Sequence, residues 1–465
     1  MSVKNASEPE YPQGSGVRRR SLLIGGATAA MTASTLVNAV TARASSAASA
    51  QGAGVLKAGA GKAAIAIPSS LLPLDGFTAV HDDLYVRVLL LESGSQRAAM
   101  VVLDLTSISE EAITDIRTAV TAATGITAQD IVVTVTHTFS APHVQSASAS
   151  TQEATWIGNI TAAAASAVAD AAKTLRPARV GYGTGTADVN VNRNVLTAEG
   201  WWLGTGEAGP SDKSVGVARF DDQDGNPIAI LINYNVQSSV MMDSVMANGD
   251  LPISADLAGA AVAHVEAQYS NDVVGFFLVG ACGDQQPAFK SYRYTIDKDK
   301  NWSMVDAKDA GWLLLTVQGE RLGTEVVRVS ETITPSDDST LRLVTDTVTV
   351  TTVATAQGQN AAPTTTHTFT PNGTAQAPAW VLRIGDGVLA GAEPELSTET
   401  ALAIKKSSPF EHTFVMSMLE GGAKNMADKW NYEHITYEAL DSSYAEGAAE
   451  KLASRLGRDI ESVRK

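Results

Sequence analysis

The run Asp130-Ile131-Val132-Val133-Thr134-Val135-Thr136 limits most sharply what this chain can fold into. It is rich in β-branched residues, apolar at consecutive positions and too short for an ordinary helix, so it reads as a strand buried on both faces. Arg97–Leu105 reads as another strand, and Glu110–Thr124, lying between the two, as a helix. A strand–helix–strand unit of this length permits a parallel crossover. The expected fold class is therefore α/β, a large domain of mixed β-sheets flanked by helices.

The rest of the chain repeats this alternation. Strands are expected at Lys62–Ile67, Asp83–Glu92, Arg179–Val189, Ser214–Phe220, Ile228–Tyr234, Val273–Val279, Val381–Ile384 and Thr413–Met418. Helices are expected at Thr151–Leu175, Ala255–Tyr269, Ala307–Val327, near Thr398–Lys406 and after Gly447. The Thr/Ser-rich stretch Thr332–Ala379 reads as a surface insertion, a hairpin with loops, outside the core. No internal repeat is present.

The first fifty residues differ in kind. Arg18, Arg19 and Arg20 precede Ser21-Leu22-Leu23-Ile24 and a mildly apolar Gly/Ala/Thr-rich stretch, with small-x-small sites at Ala42-Arg43-Ala44 and Ala48-Ser49-Ala50. This is the pattern of an export signal, and the paired arginines before x-Leu-Leu fit the twin-arginine type. Residues 1–50 are expected to be that signal, residues 51–465 the working domain, and the protein to lie outside the cytoplasmic membrane. No later segment reads as membrane-spanning. A formal net charge of −16 argues against nucleic acid or an anionic membrane as the main partner. The lone cysteine, Cys282, excludes an intramolecular disulfide and reads as a small buried residue.

Three strands run into polar sequence. Val132–Thr136 leads to His137 in "THTFSAPH", Ala229–Tyr234 to "NYNVQSSVM", and Val273–Val279 to "GACGDQQP". In α/β sheets ligands bind beyond the carboxyl ends of strands, so the three ends suggest one cleft. His137 and His143 are two of only seven histidines, which raises the question of a metal centre. Sequence patterns for a Walker A loop, a dinucleotide fingerprint, a His-Glu-x-x-His helix and a Gly-x-Ser-x-Gly elbow are absent.

These three segments, followed in order by "GAEPELSTETALAIKKSSP" and "TYEALDSSYAEGAAEKL", resemble the neutral/alkaline non-lysosomal ceramidase family across most of residues 62–455. The likeness covers that family's N-terminal catalytic domain, and the chain ends before any equivalent of its C-terminal immunoglobulin-like domain. The resemblance implies a zinc-activated water that hydrolyses the amide of ceramide. It places His137, Gln237, Glu393 and Asn425 at the four zinc-ligand positions, where the family has His, His, Glu and Tyr. Gln237 and Asn425 are thus carboxamides in place of strong ligands, which weakens any zinc site. Tyr432 is an alternative to Asn425. The family's second motif histidine is Phe139 here, and its Gly-Asp-x-Ser-Pro serine is Gln286. Arg193 and Tyr437 match residues that hold the substrate carbonyl.

Each position also has a plainer reading. His137 is either a ligand or a hydrogen-bonded histidine at a cleft rim, and His143 and His81 are either substitute ligands or loop residues. Glu393 is a ligand or a turn acid, Tyr437 a substrate contact or a core residue, and Arg193 a carbonyl clamp or an ion-pair partner. Asp284 fixes a turn beside the site. Two functions follow from these readings. One is an exported ceramidase-like hydrolase of an amide-linked lipid or related substrate, with a degenerate zinc site. The other is a non-catalytic protein that binds a neutral sugar or lipid head group through Gln237, Gln286 and Asn425.

Overall fold

The computed structural model describes residues 54–299, 301–355 and 362–465. The expected export signal lies outside them. The crossover anticipated from the sequence is present: Gln96–Leu103 and Ile131–Val135 pair in parallel, joined by α1 (Glu110–Thr124). Ser109 caps this helix by accepting from the Ala112 N–H, and Gly125 ends it in the left-handed conformation at φ +71°.

The central sheet has eight strands in the order Val274–Val279, Pro227–Tyr234, Ser214–Asp222, Arg176–Thr186, Lys57–Ala64, Tyr85–Ser93, Gln96–Leu103 and Ile131–Val135. Its interior pairings are antiparallel, while the outermost pair at each edge is parallel. The helices α2 (Thr151–Thr174), α3 (Asp256–Gln268) and α4 (Gly311–Ser330) join α1 on one face, where their apolar sides share a core with inward residues such as Val88, Val101, Val133 and Ile232. The Ala-rich side of α2 presses onto Lys57–Ala64. A Cβ on Gly59 would stand 2.3 Å from the Ala171 carbonyl oxygen, and one on Gly61 would stand 2.3 Å from that of Ala167.

The opposite face covers a second, four-stranded sheet of Leu341–Val353, Pro371–Ile384, Gly387–Ala392 and His412–Met416. Period-two alternation sorts its residues between two layers. Trp380, Leu382, Leu389, Phe414 and Met416 face the central sheet, while Val381, Val388, Ala390 and Val415 face α5 (Thr398–Ser407) and α8 (Ala448–Arg464). The short helices α6 (Lys429–His434) and α7 (Tyr437–Asp441) lie between these two in sequence. One large α/β domain results, layered helix–sheet–sheet–helix.

The expected hairpin within Thr332–Ala379 forms, but it is not confined to the surface. Val348, Val350, Ala377 and Ala379 are buried beneath the C-terminal helical layer. The alternation that marked the segment as a strand gives one polar face and one face that must be covered.

The segment Ser417–Glu420 joins the two edges of the central sheet. Ser417 donates from its N–H to the Val279 carbonyl (3.0 Å), and Glu420 donates to that of Val133 (2.8 Å). The strand ends leading to His137 and Cys282 thereby face one another, and Thr138 bridges directly to Ser238. Among the described residues no helix is long and apolar enough to cross a membrane.

The closeness of α2 to the sheet gives a stability prediction. Gly61→Ala places a methyl against backbone that side-chain motion cannot relieve, and should lower the unfolding free energy by about 1–3 kcal/mol in urea titration. An unchanged midpoint would show that the helix sits further out.

Candidate active site

A cavity of about 500 Å³ opens over the gathered strand ends. His137 lies two residues past Val135 in the left-handed region at φ +54°, 4 % exposed. Its Nδ1 lies 2.9 Å from the Thr106 carbonyl oxygen. A carbonyl only accepts, so Nδ1 carries a proton and donates it, which leaves Nε2 facing Glu395. Nε2 lies 3.3 Å from Glu395 Oε2 but makes no aligned hydrogen bond.

Glu395 sits in the strand Pro394–Leu396, paired with Ala423–Met426 so that Glu395 faces Asn425. Burial alone would raise its carboxyl, yet His137, Arg193 and the Gln237 amide together hold it below the usual carboxylate range. Cys282 Sγ lies 3.9 Å from the same Oε2, and burial with Glu395 alongside pushes this thiol up. One donor atom each from His137, Cys282 and Glu395 lies within 4.8 Å of the others, so this buried trio could bind a metal.

Arg193 forms the other half of the site. Its Nε donates to Glu438 Oε1 at 2.6 Å and its Nη1 to Gln237 Oε1 at 3.2 Å. Gln237 in turn donates from Nε2 to Glu395 Oε2 at 2.8 Å. Arg193 can only donate and an ionised Glu395 can only accept, so the amide between them has one workable orientation. Arg193 Nη2 is buried and has no hydrogen-bond partner. The guanidinium lies 5.0 Å from the Tyr437 ring centroid, and burial with Asp441 nearby pushes that phenol up, keeping it protonated.

His137, Gln237, Asn425, Arg193, Tyr437, Phe139, His143 and Gln286, all singled out in the sequence, do meet in this cavity. Their parts differ. Gln237 turns its NH₂ to Glu395, bridging charges instead of offering an oxygen to a metal. Asn425 donates to Asp441 Oδ2 (3.1 Å) and keeps Oδ1 buried and unpaired. Phe139 packs edge-on to His137, and His143 is tied to Asp75 at 2.7 Å. Asp284 sits behind the cavity. Its backbone oxygen accepts from the Arg193 N–H, its carboxylate accepts from Thr398 N–H and Oγ1–H, and burial with Glu438 nearby pushes it up to about 7. It is a positioning residue. Tyr432 donates to the Tyr444 carbonyl and His81 stacks on Trp312, both apart from the trio.

Glu393, expected as a ligand, lies elsewhere. It lines a separate cavity of about 270 Å³ with Arg117, Trp380 and Glu420. One strand ends at Ala392 and Pro394 opens the next, leaving Glu393 at the joint while Glu395 turns inward between buried Pro394 and Leu396. Glu395, Glu438 and Lys290 were not legible as site residues. The only signal for Glu395 was its place between apolar neighbours in "PEL".

These features define an α/β protein whose sheet edges converge on a buried N/O/S donor trio beside an anchored arginine. The fold is neutral-ceramidase-like. It is similar to the crystal structure of a neutral ceramidase from Pseudomonas aeruginosa, with TM-score 0.66 and 16 % identity over 88 % of this chain and 75 % of that one. A ceramidase complexed with C2 gives TM-score 0.67 at the same identity and coverage. No family model matches the sequence, and no curated protein is significantly similar to it.

The Arg193–Glu438 pair should act as a unit. Arg193→Ala strands a carboxylate with zero exposure and should destabilise by about 3–5 kcal/mol. Adding Glu438→Ala should restore part of that loss, and strict additivity in the double-mutant cycle would deny the coupling.

Proposed function

We propose that the chain is a metal-dependent hydrolase of the ceramidase type, acting on an amide-linked lipid or a related N-acyl compound. The observation that carries this reading is His137 Nε2, buried without an aligned hydrogen bond and 3.3 Å from the Glu395 carboxylate, with Cys282 alongside. Nε2 and Oε2 held 3.3 Å apart call for a positive charge between them, either a proton on Nε2 or a metal ion that both ligate. That spacing also suits two ligands of one tetrahedral ion, which stand roughly 3.4 Å apart when both bonds are about 2.1 Å. The Nδ1–H bond to the Thr106 carbonyl is the usual support of a metal-binding histidine.

His137 and Glu395 would hold the ion, with Cys282 as the third protein ligand and Asn425 Oδ1 as a weak neutral neighbour. An imidazole, carboxylate and thiolate set suits zinc. When bound, the ion supplies a Lewis acid and lowers the pKa of its water. The chain's own groups orient the substrate. Glu438 and Gln237 lock the guanidinium so that Arg193 Nη2 can donate to the amide oxygen, and the protonated Tyr437 hydroxyl is a second donor. Phe139, Tyr292, Met304 and Met418 give the cavity an apolar wall for an acyl chain.

A second reading, a metal-free binding protein, is favoured by the Gln237 bridge. Arg193, Gln237 and Glu395 form a satisfied chain without an ion. Metal content separates the two readings. The hydrolase should hold zinc near one per chain, lost with chelator and in His137→Ala and Glu395→Ala but retained in Glu393→Ala. A metal-free protein whose melting ignores chelators would sink it.

We also propose export by the twin-arginine route, supported by the sequence of residues 18–24. Arg19→Lys/Arg20→Lys should leave the protein in the cytoplasm, and undiminished export of that variant would count against the route.

A further inference from the structure

Building on the hydrolase reading of this cavity, we propose that its substrate carries a carboxylate beside the scissile amide, held by Lys290, as in an N-acylated amino acid.

Lys290 is firmly mounted. The neighbouring Phe289 N–H donates to Gln318 Oε1 at 3.0 Å, Gln318 Nε2 donates back to the Phe289 carbonyl at 2.8 Å, and the Ser291 N–H donates to the Val240 carbonyl at 2.8 Å. Phe289 turns out to solvent while Lys290 lines the cavity. Its ammonium is poorly matched there. Its hydrogen-bond contact is the thioether of Met242 at 3.8 Å, a weak acceptor. Among the described residues no carboxylate oxygen lies within 4.0 Å of its Nζ, whereas Lys424 has Asp441 at 3.1 Å and Arg193 has Glu438 at 2.6 Å. Arg293, on the same wall, likewise has no carboxylate within that distance.

The carboxylates that face Lys290 do not neutralise it. Asp243 lines the cavity at longer range, and burial holds it above the ordinary carboxylate range although Lys290 draws it down. Asp256 is committed to the Val240 and Met241 N–H groups and the Ser140 hydroxyl. Burial, with Arg193 close enough to repel, pushes Lys290 down to about 8. Two cations thus share a low-dielectric cavity, one with a free N–H and one without a close counter-ion. An N-acyl amino acid places a neutral carbonyl and a carboxylate a few bonds apart. Arg193 Nη2 takes the carbonyl, Lys290 takes the carboxylate, and the apolar wall takes the chain. An uncharged amide of the ceramide kind would leave the ammonium unmatched.

The test compares N-lauroylglycine with N-lauroylethanolamine, which share acyl chain and amide but differ in the carboxylate. Calorimetry on the metal-loaded full chain should show N-lauroylglycine binding about tenfold tighter. Lys290→Met should abolish the preference and Lys290→Arg should keep most of it. Equal affinities, a preference for the neutral amide, or a preference that survives Lys290→Met would each overturn the proposal. The wild-type comparison decides alone if Lys290→Met does not fold. Cleavage is read separately. Turnover of both amides without preference leaves the hydrolase standing and this inference defeated, whereas selective binding of N-lauroylglycine without turnover does the reverse.

Discussion

The site depends on how two buried carboxylates are balanced. Glu395 and Glu438 are almost wholly removed from water, and Arg193 is the one guanidinium between them. Burying an unmatched charge is expensive enough that a chain keeps such a group only with a partner in place. One positive charge against two negative ones leaves a deficit at Glu395, the carboxylate that faces His137 and Cys282. A dication with a thiolate would close that balance, since three anionic groups would meet Arg193 and a double positive charge. A protonated His137 would close it without metal. The competing functions are therefore two solutions to one electrostatic requirement.

The architecture explains why this requirement arises where it does. Each edge of the central sheet ends in a parallel pair, and the Ser417–Glu420 segment bonds to both edges. Strand ends from opposite sides of the eight-stranded sheet are brought together, His137 from one and Gln237 and Cys282 from the other. Glu395 arrives from the connection between the third and fourth strands of the second sheet, and Asn425 and Glu438 from the chain that follows it. The site is a seam between the layers, so its polar groups are buried by two cores at once.

Much of this was legible in the sequence. Uncharged, β-branched runs must be buried strands, and polar sequence after three of them marked the cleft. The hairpin at Leu341–Val353 was visible as alternation, but alternation cannot say what covers the apolar face. Glu393 and Glu395 differ by two positions in a run broken by Pro394, and only the start of a new strand shows which one turns inward. Cys282 carries no motif, because one thiol in a Gly/Ala-rich turn looks the same whether inert or poised beside a carboxylate. Lys290 was hidden for a related reason. Lack of a counter-ion is a property of three-dimensional surroundings that no local pattern encodes.

The two carboxamides also acquire a physical sense. The resemblance places histidine where Gln237 stands. A glutamine there can accept from Arg193 and donate to Glu395 together, with no change in charge. It thereby fixes the guanidinium against Glu395. Asn425 donates to Asp441 and keeps its own oxygen buried and unpaired. Arg193 is thereby held in one orientation by Glu438 and Gln237 alone, with no ion required.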